Sequence, residues 1–207
     1  MEQPIEILYE DNSVLCCVKP AGLLSQSAPG GAPDLVQLLQ RQTGGEIYPV
    51  HRLDRAVGGV MLFAKTNAAA AALNRQIAER TLEKRYVARI HGVMEPPQGV
   101  LEDLLFKDAR TNKVFVVNRP RKGVRAARLF YETEQSDEET SRVAVLLDTG
   151  RTHQIRVQFA SRKHPLLGDR RYGARDGEAG LCLWSRSVTF RRPDTGEKMT
   201  VSAGEPF

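Results

Sequence analysis

A chain of 207 residues that is 41% apolar can bury a sizeable core and reads as one domain, 1–207. Three cysteines, Cys16, Cys17 and Cys182, with no C-x-x-C or Cys/His spacing exclude a disulfide framework and a zinc site. No apolar run is long enough for a signal peptide or a membrane span, so a reducing cytoplasm is the expected setting.

The formal net charge is only +5, but residues 151–175 alone hold seven Lys and Arg against one acid. Positive charge is therefore local, as a polyanion-binding face requires. A second basic cluster, Arg119 to Arg128, holds five cations and no acid.

In chain order, Ile5 to Tyr9 and Val14 to Val18 predict a hairpin about Asp11-Asn12. Lys19-Pro20-Ala21-Gly22 is a turn leading into a Ser/Gly/Pro loop, after which Asp34 caps a short helix to about Gln42. The stretch from His51 to Lys65 sets Asp54 between Arg52 and Arg55, then passes through Gly58-Gly59 into the apolar run of a buried strand, Val60 to Ala64. An aspartate flanked by arginines is usually a surface ion pair. At the mouth of a core, the same guanidinium groups favour the ionised carboxylate that a nucleophile or general base needs.

Thr66 can cap a helix with Ala70, Leu73 and Ile77 on its apolar side, covering the sheet. Glu83 to His91 alternates as a half-exposed strand, with Tyr86 on the core face. Val100 to Leu105, Val114 to Asn118 and Ala126 to Tyr131 read as short antiparallel strands, joined by basic loops that either rim an RNA groove or are solvated turns. The acidic run Glu132 to Glu139 reads as a solvated loop, and Arg142 to Leu147 as a strand. Gly150 to Ala160 predicts a short amphipathic helix capped by Thr152. Its outward N-terminus, with Arg151, His153 and Gln154, would offer a phosphate or ribose site. Leu181 to Phe190 and Met199 to Val201 close the sheet around Pro193-Asp194-Thr195-Gly196.

Four of these segments, in this order, resemble the motifs of the RluA-type pseudouridine synthases, which isomerise uridines in ribosomal and transfer RNA. They are Lys19-Pro20-Ala21-Gly22, His51-Arg52-Leu53-Asp54, Lys84-Arg85-Tyr86-Val87-Ala88, and Gly150 to Arg156 continued through His164-Pro165 to Asp169 and Tyr172-Gly173. Val57-Gly58-Gly59 departs from the family's usual Thr-Ser-Gly, and Gln158, read as a tolerated rim change, replaces a frequent His.

The resemblance implies an α+β fold: a single domain with a long, mixed, mainly antiparallel sheet, flanking helices and a central cleft. It also implies that Asp54 is the catalytic acid, acting either as nucleophile at ribose C1′ or as base at C2′, with Tyr86 over the uracil and Arg156 pairing with the acid. Arg52 would fill the space of a flipped-out base, and Arg55, Arg151, His153 and Gln154 would meet RNA. Metal and small-molecule cofactor are not required, and the chain would act as a cytoplasmic monomer on rRNA or tRNA, away from any membrane. An N-terminal S4 module is not expected, since strand signals begin near Ile5. The rivals are a non-catalytic RNA-binding module and a nucleoside hydrolase. The hydrolase needs a second catalytic carboxylate and would release free uracil.

Overall fold

The computed structural model describes residues 4–27, 31 and 33–207; part of the Ser/Gly/Pro loop expected after Leu24, namely 28–30 and 32, lies outside the described residues. Eleven strands and three α-helices follow along them. In order they are β1 (Ile7–Glu10), β2 (Val14–Lys19), α1 (Leu35–Thr43), β3 (Tyr48–Pro49), β4 (Gly58–Ala64), α2 (Asn67–Ala78), β5 (Glu83–His91), β6 (Gln98–Asp108), β7 (Lys113–Val117), β8 (Val124–Ser136), β9 (Thr140–Leu147), α3 (Gln154–Ala160), β10 (Leu183–Arg191) and β11 (Lys198–Ser202). The class is α+β. The chain divides into two compact units, Met1–Lys84 with Trp184–Phe207, and Arg85–Leu183.

In the first unit the strand order is β1-β2-β4-β10, with β11 beside β10 and β3 beside β4. The β1–β2 hairpin forms where Asp11 Oδ1 accepts from the amides of Ser13 (2.7 Å) and Val14 (2.8 Å), which fixes the turn. All seven residues of β4 are buried, as its unbroken apolar run requires. Leu62 and Leu73 are fully buried in one cluster with Val60, Val188 and Phe190, so α2 packs its apolar side on this sheet. Each such aliphatic side chain contributes about 1.5–3 kcal/mol by leaving water. Both helix starts are capped as the sequence predicts: Asp34 accepts from Gln37 N (2.9 Å) and Thr66 Oγ1 from Ala69 N (3.1 Å).

The parallel β4–β10 pairing brings Ser185 beside Gly59. Gly59 has φ +114°, and a Cβ there would lie 2.6 Å from Ser185 N, so the close approach of the two backbones excludes every other residue.

The second unit orders its strands β5-β9-β8-β6-β7. Three expectations are corrected here. Two of the three predicted short strands are long, β6 with 11 residues and β8 with 13, while β7 is short with 5. The acidic run is a loop only at its end, 137–139, because Glu132 and Thr133 pair with Ala144 and Val143 and β8 continues to Ser136. Cross-strand hydrogen bonding thus outweighs local polarity. Third, β5 is not simply half-exposed: Val87 is buried as well as Tyr86, Ala88 and Ile90.

Candidate active site

Asp54 sits in the turn that feeds β4, and the backbone on either side of it is fastened. Ser25, almost fully buried, accepts from Leu53 N (3.1 Å) and donates to Leu53 O (2.9 Å), holding the residue before the acid. After the acid, Arg55 O accepts from Gly22 N (2.7 Å) while Arg55 Nε donates back to Gly22 O (2.8 Å). Val57 N closes the turn onto Asp54 O (3.0 Å).

Lys19 completes this frame. Its side chain is fully buried, and Nζ donates to the carbonyls of Pro20 (2.9 Å), Leu23 (2.7 Å) and Arg55 (3.3 Å). Burial lowers the Lys19 ammonium to about 8, and the charge of Asp54 opposes that fall. One buried cation therefore ties the Lys-Pro-Ala-Gly turn to the aspartate's loop and interacts electrostatically with the acid. The sequence places Lys19 in a turn and a motif segment but gives its side chain no role; the signal was a lysine ending a strand of buried residues.

His51 anchors the other side of the loop. Its Nε2 accepts from Leu62 N (3.1 Å), while its Nδ1 is buried with no hydrogen-bond partner among the described residues. Burial, aided by the charge of Lys84, lowers its pKa to about 3, so the imidazole is a neutral strut. Arg52 is exposed at the surface of this loop, and Arg55 is exposed although its Nε is engaged.

The family's usual Ser is absent for a physical reason. A Cβ on Gly58 would lie 2.9 Å from Trp184 Cε3, closer still to Cζ3, and 3.1 Å from Lys19 O. The indole ring takes the space in which a serine side chain would begin.

In the second unit, Tyr86 is buried on β5. Arg156 lies on α3, nearly buried, and is gripped by Asp169: Nε to Oδ2 at 2.7 Å and Nη2 to Oδ1 at 2.8 Å. This bidentate charge-assisted pair fixes the guanidinium plane, and the Tyr172 ring packs 5.1 Å from its Cζ. Asp169 and Tyr172 are visible in the last of the four motif segments, with no role assigned to them there. The signal was an acid set among four arginines.

The helix carrying Arg156 differs from expectation. It has seven residues, six of them buried, and so is not amphipathic. Thr152 does not cap it; His153 occupies that position with φ +51° and no side-chain capping bond, its Nδ1 lying 2.8 Å from Tyr172 Oη. Gln154 is buried, its Oε1 accepting from Thr149 Oγ1 (2.8 Å) and Arg151 N (3.0 Å) and its Nε2 donating to Arg128 O (3.0 Å). Arg151 is exposed, with Nε on Ala126 O (3.0 Å). Gln158 is no rim residue: it is fully buried and donates to Leu101 O (3.1 Å) and Asp103 Oδ2 (2.7 Å).

A pocket of about 380 Å³ opens in the second unit beside Met94, Pro96, Leu101, Tyr131 and His164, and neither Tyr86 nor Arg156 lines it. None of the described helices is long and apolar enough to cross a membrane.

Comparison with known proteins is consistent with this frame. Residues 13–161 match the family model described as RNA pseudouridylate synthase. The chain is 34% identical to the dual-specificity RNA pseudouridine synthase RluA of Haemophilus influenzae, over 100% of this chain and 96% of that protein. It is 36% identical to the protein of the same name from Escherichia coli K12, over 97% and 93%. Among solved structures, human RNA pseudouridylate synthase domain containing 1 superposes with a TM-score of 0.82 at 22% identity, covering 100% of this chain and 87% of that one. That likeness shows the fold. With the sequence relatives it means that the chain belongs to the RluA-type RNA pseudouridine synthases, a family of isomerases.

Proposed function

We propose that this chain converts specific uridines of ribosomal or transfer RNA to pseudouridine, with Asp54 as the group that opens the glycosidic bond. The observation that carries the reading is the fastening of the Asp54 loop by Lys19, Ser25 and Arg55. A surface ion pair does not need such a frame, whereas a nucleophile or base does, because small misplacements of the reacting group are costly in rate. The motif resemblance supplies the RNA classes, and the relatives from Haemophilus influenzae and Escherichia coli are named dual-specificity RNA pseudouridine synthases.

Asp54 either attacks C1′ or removes the proton at C2′. By either route the C1′–N1 bond breaks and its electron pair leaves with the uracil. The ring then turns, C5 bonds to C1′, the C5 hydrogen departs as a proton, and Asp54 is returned to its starting state. Motif resemblance joins two further residues to this reaction: Tyr86 as a flat surface beneath the base, and Arg156 as the guanidinium partner of the acid. The grip of Asp169 on Arg156 supports that role, since a counterion is useful only if it does not swing.

A stacked uridine must be flipped out at a cost of about a few kcal/mol. Arg52, exposed beside Asp54, fills the vacated space, and Arg55, Arg151 and His153 meet phosphate or ribose. Gln154 serves RNA binding through the Arg151 loop that it holds. The enzyme works as a cytoplasmic monomer with no metal or cofactor.

Incubating the protein with rRNA and tRNA from cells that lack it, then digesting to nucleosides, tests the reading. Pseudouridine at defined sites is the expected product. Free uracil would point to a hydrolase, and binding without any product to a passive RNA-binding module.

A further inference from the structure

The sheet of the second unit has two faces of unlike chemistry. One packs Leu105, Val114 and Ala127 with Val157 of α3. Alternation along the strands turns Phe106, Phe115 and Phe130 to the other face, where no helix lies over β6, β7 or β8 in the described contacts. Phe115 is 43% exposed, Phe130 36% and Val100 45%. Phe106 and Phe115 are direct cross-strand partners, as are Val100 and Phe130. Six residues of β6 separate these pairs, roughly 20 Å at about 3.3 Å per residue.

Every aromatic on this face has a cation at its ring. Arg121, from the basic loop between β7 and β8, sits 4.4 Å from the Phe106 centroid; Arg128 lies 4.9 Å from Phe130, and Lys113 5.7 Å from Phe115. Arg119 and Lys122 are exposed nearby in sequence, whereas Arg125 falls with Ala127 on the face that carries α3. One acid, Glu102, lies between the two pairs on β6, where Arg128 neutralises it, and the others bound the track. Glu102 is paired with Arg128 (2.9 Å), Asp108 is turned into its own hairpin loop, and Glu132 and Glu134 lie beyond Phe130. Cation–ring contacts alone would make exposed phenylalanines tolerable in water. They do not account for two exposed rings and a basic loop on one uncovered sheet face, a combination suited to a ligand that has both flat rings and negative charge.

We propose that this face, opposite the one that carries α3, is a second RNA-binding surface. On it, unpaired nucleotides of the substrate stack on Phe115 and Phe130 while Arg121, Lys122 and Lys113 neutralise their phosphates. The inference rests on the reading of the ligand as RNA and deepens it, because it adds a contact for unpaired sequence that is separate from the flipped uridine. The charge gradient gives the track a direction: phosphate density is greatest at the Arg121 end and falls off toward the acidic hairpin beyond Phe130.

The test is fluorescence anisotropy with a labelled 12-nucleotide single-stranded adenosine oligomer and a blunt RNA duplex of the same length. Wild type is expected to prefer the single strand. The double variant Phe115→Ala/Phe130→Ala is expected to weaken that binding at least tenfold with the salt dependence unchanged. Arg121→Gln/Lys122→Gln is expected to reduce the slope of log affinity against log salt by about one to two. Short-wave ultraviolet crosslinking of the bound oligomer should map to Phe115 or Phe130 peptides.

Single-strand affinity of the double phenylalanine variant within twofold of wild type overturns the proposal. So does a shift in oligomeric state at unchanged RNA affinity, which would make the face a protein interface. Pseudouridine formation by wild type is measured alongside. Its absence, with stacking-dependent binding intact, would sink the catalytic reading and leave this one standing; its presence, with binding indifferent to the two phenylalanines, would do the reverse.

Discussion

Replacing Gly58 with the serine usual in its family tests how this chain departs from its relatives. In Gly58→Ser the new Cβ meets the Trp184 ring 2.9 Å from Cε3, where ordinary contacts begin near 3.4 Å, and Lys19 O at 3.1 Å on the other side. Neither neighbour yields easily, since Lys19 O is backbone of β2 and the indole is wedged at the start of β10. Overpacking of this kind costs about 1–3 kcal/mol. The loss of a glycine's freedom in the unfolded chain returns about 0.4–1 kcal/mol. The net of about 1–2 kcal/mol corresponds to roughly 2–8 °C in Tm for a chain of this size. Trp184→Leu vacates the ring's space and removes a buried Nε1 that has no hydrogen-bond partner among the described residues. In that background Gly58→Ser should cost at least about 1 kcal/mol less, and thermal melts of the four proteins measure the difference. Additivity within about 0.5 kcal/mol would mean that the ring is not what excludes the serine, and the explanation of Val57-Gly58-Gly59 would fail.

Two further outcomes follow from the same frame. His51 is neutral in the folded chain down to about pH 3 but protonates near 6.5 when unfolded. The unfolded state therefore binds the extra proton between those values, and stability falls as pH drops from 6.5 toward 3, by up to roughly 4–5 kcal/mol. His51→Gln, which keeps an acceptor for Leu62 N, should flatten that part of the stability–pH curve in denaturant melts. Asp169→Asn leaves the Arg156 charge buried without its carboxylate and should cost about 3–5 kcal/mol. Arg156→Met/Asp169→Leu should recover most of that stability while isomerisation remains lost, as paired melts and turnover assays would show.

Much of the first unit was legible because local and long-range signals agree there. The β1–β2 turn, the Asp34 and Thr66 caps and the unbroken apolar β4 each have a short-range cause, and the structure repeats them. The second unit was harder to read, because long-range pairing decides it. Glu132 and Glu134 look like loop residues until β9 is set beside them, and Gln154 and Gln158 look like polar rim until their amides are seen capping Arg128 O and Leu101 O. Asp54, Tyr86 and Arg156 are proposed from motif order, which says nothing of what holds them in place. Lys19, Ser25 and Asp169 do the holding, and each acts through a residue far away in sequence. Lys19, for instance, bonds across 36 positions to Arg55.

The central claim is that Asp54 opens the glycosidic bond. RNA carrying tritium at uridine C5 tests it most directly, because rejoining through C5 sends that label to water. Wild type should release the label in step with pseudouridine formation. Asp54→Asn, a change of one atom in a loop fastened from both sides, should bind the same RNA within about twofold and release none. Release by Asp54→Asn at the wild-type rate would contradict the account.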